Sequence, residues 1–154
     1  MQPKWCQRAW IKMKISKALI LLYGVFLFVS SAFASSYDGS WKVDVDCPAS
    51  AKNKGAREVK FSFKAQVVDG EFLGGVRTLP EPGSMLVKGK IDDKGEALLR
   101  VEGYHKDPGN NVIRAAVGTI YTYSVRSHFD DTSGKGERIL GRDCNYKFTK
   151  IISP

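Results

Sequence analysis

The sequence predicts an all-β protein, an antiparallel meander of about eight strands closing into a small barrel, with a two-sheet β-sandwich as the alternative. Three observations predict it. Beyond residue 38, apolar and polar residues alternate with period two and helical periodicity is scarce. Short turn motifs, such as Asp69-Gly70 and Asp92-Asp93-Lys94-Gly95, join successive runs and so force antiparallel neighbours. Cys47 and Cys144 lie near the two ends of that region, and a bond between them would set the first strand beside the last, as closure requires.

Before the strands comes a different kind of segment. Residues 1–17 carry Lys4, Arg8, Lys12, Lys14 and Lys17 and no acid; an apolar run follows over 18–29, then Ser30-Ser31-Ala32-Phe33-Ala34. A basic start, a short apolar stretch and an A-x-A site are the pattern of a cleaved secretory signal, so 1–34 is expected to be a signal peptide and 35–154 a single domain. The apolar run is short of the roughly 20 residues that a membrane span needs, which disfavours an uncleaved anchor. Met13 opens a complete short basic region of its own and is an alternative start. Cleavage removes five of the 24 basic side chains and none of the 16 acidic ones, so the net charge falls from +8 to +3. Nucleic-acid binding, which +8 would suggest, is therefore not expected. A periplasmic or secreted protein is, without a stable membrane anchor after cleavage.

The elements follow in order. Trp41, Val43, Val45 and Cys47 alternate with Lys42, Asp44 and Asp46 in the first strand. Val59, Phe61, Phe63, Ala65 and Val67 do the same in the second, and Asp69-Gly70 turns the chain into a third over 71–76. Pro80, Pro82 and Gly83 make 77–84 a loop. Strands are expected over 85–91 and 96–104, joined by the Asp92–Gly95 turn. After a turn at 106–110, residues 112–126 are long enough for one bent strand or two short ones. The polar, glycine-rich 130–137 is expected to be a loop, and Cys144–Phe148 the closing strand.

Loss of the leader also removes Cys6 and leaves two cysteines, which allow one intramolecular pairing. An oxidising compartment makes Cys47–Cys144 a disulfide. The alternative, a metal site, lacks a C-x-x-C and the usual four ligands.

Gly39-Ser40-Trp41 at the first strand and Arg142-Asp143-Cys144 at the last resemble the calycin superfamily, which includes the lipocalins. That resemblance implies a barrel whose base is plugged by Trp41 with Arg142 lying across the indole. The order G-x-W, early cysteine, D-G hairpin, Gly89–Gly95 hairpin and terminal R-x-C also resembles small exported bacterial domains with no assigned activity.

Catalytic motifs are missing. There is no G-x-S-x-G, H-E-x-x-H or G-x-x-x-x-G-K-[ST]. His105 and His128 are the only histidines, each a candidate base or contact and each more simply a solvent-exposed side chain. Asp92-Asp93 suits a turn, and Asp130-Asp131 lacks the order of a calcium loop. Lys52, Lys54, Arg57, Lys60 and Lys64 form a basic stretch that suits either an anionic surface or a solvated strand face. Tyr121 and Tyr123 share one face and are either mouth-lining contacts or core. The expected function is a non-enzymatic binding or interaction domain for a small apolar ligand or a protein, with no cofactor or metal. Two alternatives are an inhibitor acting through loops 77–84 or 129–137, and a hydrolase using His105 or His128 with a nearby acid.

Overall fold

The computed structural model describes residues 35–49 and 55–152; the expected signal segment, Lys52, Lys54 and the last two residues lie outside them. Eight strands follow one another: β1 (Gly39–Cys47), β2 (Val59–Val68), β3 (Glu71–Val76), β4 (Met85–Lys90), β5 (Glu96–Tyr104), β6 (Ile120–Phe129), β7 (Ser133–Arg138) and β8 (Asn145–Lys150). Each pairs antiparallel with the next, and β1 pairs with β8, with Val43 opposite Phe148, to close the barrel. Closure rules out the sandwich and leaves no free sheet edge.

The alternation in sequence becomes inside and outside. Trp41, Val43, Val45 and Cys47 are buried along β1, as are Phe63, Ala65 and Val67 along β2 and Ala97, Leu99 and Val101 along β5. The interior is filled by side chains. It is filled so closely that inward-facing positions on the neighbouring strands hold glycine. A Cβ on Gly74 would lie 2.5 Å from the Ala65 Cβ, and one on Gly89 would lie 2.9 Å from Leu99 Cδ2. Gly74→Ala is therefore expected to destabilise the fold by about 1–3 kcal/mol through overpacking. A urea midpoint equal to that of the unsubstituted protein would show instead that β2 and β3 can separate there at no cost.

The path after β5 departs from the expectation. Residues 112–119 are not a strand: Arg114 (φ 55°) and Gly118 (φ 79°) take left-handed conformations, and Asn111 folds the segment by accepting from Ala115 N (2.7 Å). Conversely, 133–138 is strand β7, not a loop. Its inward positions are Gly134 and Gly136, which lie against Phe129 and Ser127, so the strand carries no apolar signal. Small residues there make room for the bulk of β6.

The two ends of the barrel differ. At one, the connections are short: 69–70, 91–95 and 130–132, with 35–38 packed beside them. Trp41, fully buried, plugs this base; its Nε1 donates to Tyr37 O (2.8 Å) and its ring meets Phe129 edge-on at 5.4 Å. Phe72 and Phe148 complete the plug, with Phe129–Phe148 centroids 4.6 Å apart. At the other end, here the mouth, lie the four longer connections: that between β1 and β2, described over 48–49 and 55–58, and 77–84, 105–119 and 139–144.

Candidate functional site

The mouth is built on a clasp of one disulfide and one buried arginine. Cys47 at the end of β1 is bonded to Cys144 just before β8. Two residues earlier, Arg142 is 5% exposed and spends its guanidinium on backbone carbonyls. Nη1 donates to Asn110 O (2.7 Å), and Nη2 donates to Cys47 O (2.5 Å), to Pro48 O (3.4 Å) and to Arg57 O. One side chain thus ties the β1–β2 and 105–119 connections to its own. The acceptors are neutral, so burial, aided by the charge of Arg138, lowers its pKa. An arginine nevertheless keeps its proton in such a setting.

Arg142 does not lie on Trp41, as the resemblance implied. It contacts the Cys47 end of β1, and Trp41 is six residues back along that strand, about 20 Å away. Antiparallel pairing forces this, because the start of β8 faces the end of β1. The cation near the indole is Lys150, the last residue of β8, with Nζ 5.9 Å from the ring centroid.

Inside the clasp is a row of flat groups. Tyr121 and Tyr123, on the inner face of β6, stack at 5.9 Å and 16°. His105 packs on Tyr121 at 4.8 Å, and Arg138 Cζ lies 4.0 Å from the centroid of Tyr123. The Tyr123 hydroxyl shares a 2.7 Å hydrogen bond with that of Tyr146 and approaches Met85 Sδ at 4.0 Å. Burial pushes the phenol pKa of Tyr121, Tyr123 and Tyr146 upward, so all three remain protonated at neutral pH. Burial first, and Arg138 second, hold His105 below the usual imidazole range. The unfolded chain therefore takes up that proton first as pH falls below about 6.5. The associated stability is intact above that pH and is lost on descent toward the lowered folded value. His105→Gln is expected to flatten this part of a melting-temperature profile between pH 7 and 5; a profile of unchanged slope would contradict it.

His128 is elsewhere. It stands exposed on the outer face near the base, with Nδ1 2.8 Å from Glu96 Oε1 and Nε2 3.7 Å from Asp130. The two histidines do not meet, and among the described residues neither is hydrogen-bonded to a serine, threonine or cysteine side chain. The two candidate loops also part company. Segment 77–84 belongs to the mouth, knitted to β5 by Gly83 N to Tyr104 O (2.8 Å), whereas 129–137 is mostly β7 with its turn at the base. A surface depression crosses the outer faces of β1, β2, β7 and β8; its lining includes charged groups such as Asp46 and Lys60, which pair with each other at 3.7 Å.

Charge and apolar exposure are unevenly divided. The base connections carry Asp38, Asp69, Asp92, Asp93, Asp130 and Asp131 against Lys94 alone. The described mouth connections carry Arg57, Arg77, Lys106, Arg114 and Arg142 against Glu58, Glu81, Asp107 and Asp143, and Arg138 adds to the surplus. The rim also holds Ile113 (79% exposed) and Leu140 (78%), the two most exposed large apolar side chains among the described residues. Arg138, Tyr146 and Met85 were not singled out by sequence reasoning; the first directly follows an expected loop and the others fall within expected strands. The one signal available was strand parity, which puts Arg138 on the same face as Gly134 and Gly136. Among the described residues, no group of three or more metal-binding side chains comes together, and no helix is long and apolar enough to cross a membrane. The architecture is thus a closed eight-stranded antiparallel barrel with one plugged and one elaborated end, and no family model, curated protein or solved structure matches the chain.

Proposed function

We propose that this chain is an exported, non-enzymatic binding domain of calycin-like form that works through its mouth. One observation carries the proposal: the four long connections, the two most exposed large apolar side chains, Ile113 and Leu140, and a surplus of positive charge lie at one end, which Cys47–Cys144 and Arg142 hold in place. The opposite end is sealed by aromatic rings and closed by short acidic turns. Exposed apolar side chains on pinned loops present a surface at a reduced ordering cost, which favours association. Export is supported by the leader-like sequence together with the disulfide.

The test compares two double variants for what the domain captures or carries when purified from the exported fraction. Ile113→Ser with Leu140→Ser alters the mouth, and Val68→Ser with Leu98→Ser alters exposed apolar positions on the barrel wall. The mouth variant is expected to lose bound material and the wall variant to keep it. The reverse pattern, or equal loss from both, would overturn the proposal.

A further inference from the structure

We propose that the mouth holds a planar anionic small molecule, with its acid group against Arg138 and its ring against the row formed by Tyr121 and Tyr123. This rests on the mouth being the working face and narrows that reading to a ligand class.

The argument begins with what faces inward. In the mouth half of the barrel the inner positions are apolar, glycine or tyrosine, with a single charged exception, Arg138. None is acidic. Arg138 is half-buried; its Nε donates to Leu140 O (2.7 Å) and its flat face covers Tyr123. Among the described residues it has no ion-pair partner. A second cation, Arg142, is buried close by with its own Nε unpartnered. A half-buried Arg138 with no carboxylate paired to it among the described residues, near a second buried guanidinium, is costly, and a bound anion offsets that cost.

The shape of the site selects the rest of the ligand. His105, Tyr121, Tyr123 and Arg138 pack on one another in a row, at 4.8, 5.9 and 4.0 Å, with His105 tilted 45° to Tyr121. A planar ring suits such a row. Level with Tyr123, and one step deeper, the interior is closed by Val101, Val87 and Val125, all fully buried. A long alkyl tail therefore has no space to descend, so the fitting molecule is short and flat.

The probe is 8-anilino-1-naphthalenesulfonate, with uncharged N-phenyl-1-naphthylamine as its counterpart, both added to the native disulfide-bonded domain at neutral pH. The anionic probe is expected to bind saturably and at least about tenfold more tightly than the neutral one, the scale of one charge-assisted hydrogen bond. Arg138→Gln should lose about that factor, while Leu98→Ser on the barrel wall should not. Folding of Arg138→Gln is checked by its melting temperature. Should that variant not fold, the unsubstituted domain decides alone: 2-naphthoate displaces the bound probe and 2-naphthylmethanol does not. Equal affinity for the two probes, undiminished binding by folded Arg138→Gln, or no displacement by 2-naphthoate would overturn the inference. If those failures occur while Ile113→Ser with Leu140→Ser still abolishes capture, the mouth remains the working face and only the ligand class falls.

Discussion

Trp41→Ala is expected to lower the free energy of unfolding by about 3–5 kcal/mol. The ring is fully buried and is the largest side chain in the barrel, so its removal leaves a void that the surrounding strands cannot collapse into. Closure makes this worse than in an open sheet. Trp41 lies opposite Ala65 on β2 and Lys150 on β8, and both neighbours are held in register by their own hydrogen bonds. Truncation also leaves Tyr37 O without its indole donor and Phe129 without its edge-on partner. At about 4–8 °C per kcal/mol for a small domain, the melting temperature should fall by at least about 12 °C. A fall of only two or three degrees would mean that the plug is dispensable and that the barrel is held mainly from its mouth.

The second large effect belongs to the disulfide. Cys47 and Cys144 are separated by 97 residues, so the bond closes a loop spanning nearly the whole barrel. In the chain-entropy model, a loop of that size is worth about 4–5 kcal/mol. This is a large share of the stability of a domain this small, typically about 5–15 kcal/mol. Replacing both cysteines by alanine should lower the urea midpoint accordingly. It should also act locally. Cys47 O is one of the carbonyls that Arg142 holds, so loosening the β1 end should raise hydrogen exchange in 105–119 and 139–144 more than at the base. Unchanged melting in reductant, or faster exchange spread evenly over both ends, would contradict this account.

Much of the fold was legible in the sequence, and the parts that were not share a cause. Strands β1 and β2 were readable because their inward positions carry apolar residues set against charged ones, as in Val43/Asp44 and Phe63/Lys64, and β3 to β5 because turn residues bound them. Strand β7 was not, because its inward positions are Gly134, Gly136 and Arg138, and a glycine is silent in a pattern of hydrophobicity. The segment 112–119 misled in the opposite direction, since Val112, Ile113 and Val117 look like strand residues. Ile113 and Val117 are in fact exposed on a loop folded by Asn111.

The same contrast governs the site. The sequence by itself determined the meander, its turns and the pairing of Cys47 with Cys144, because period-two alternation, turn chemistry and cysteine number are local or countable properties. Only the tertiary structure decided which residues meet at which end. Register places Arg142 beside Cys47 and Lys150 beside Trp41, sends His128 to the outer face near the base, and brings Arg138 and Tyr146 onto Tyr123 from strands that follow it in the chain. Alternation says that a residue points inward. The hydrogen-bonded register of a closed barrel says what it points at.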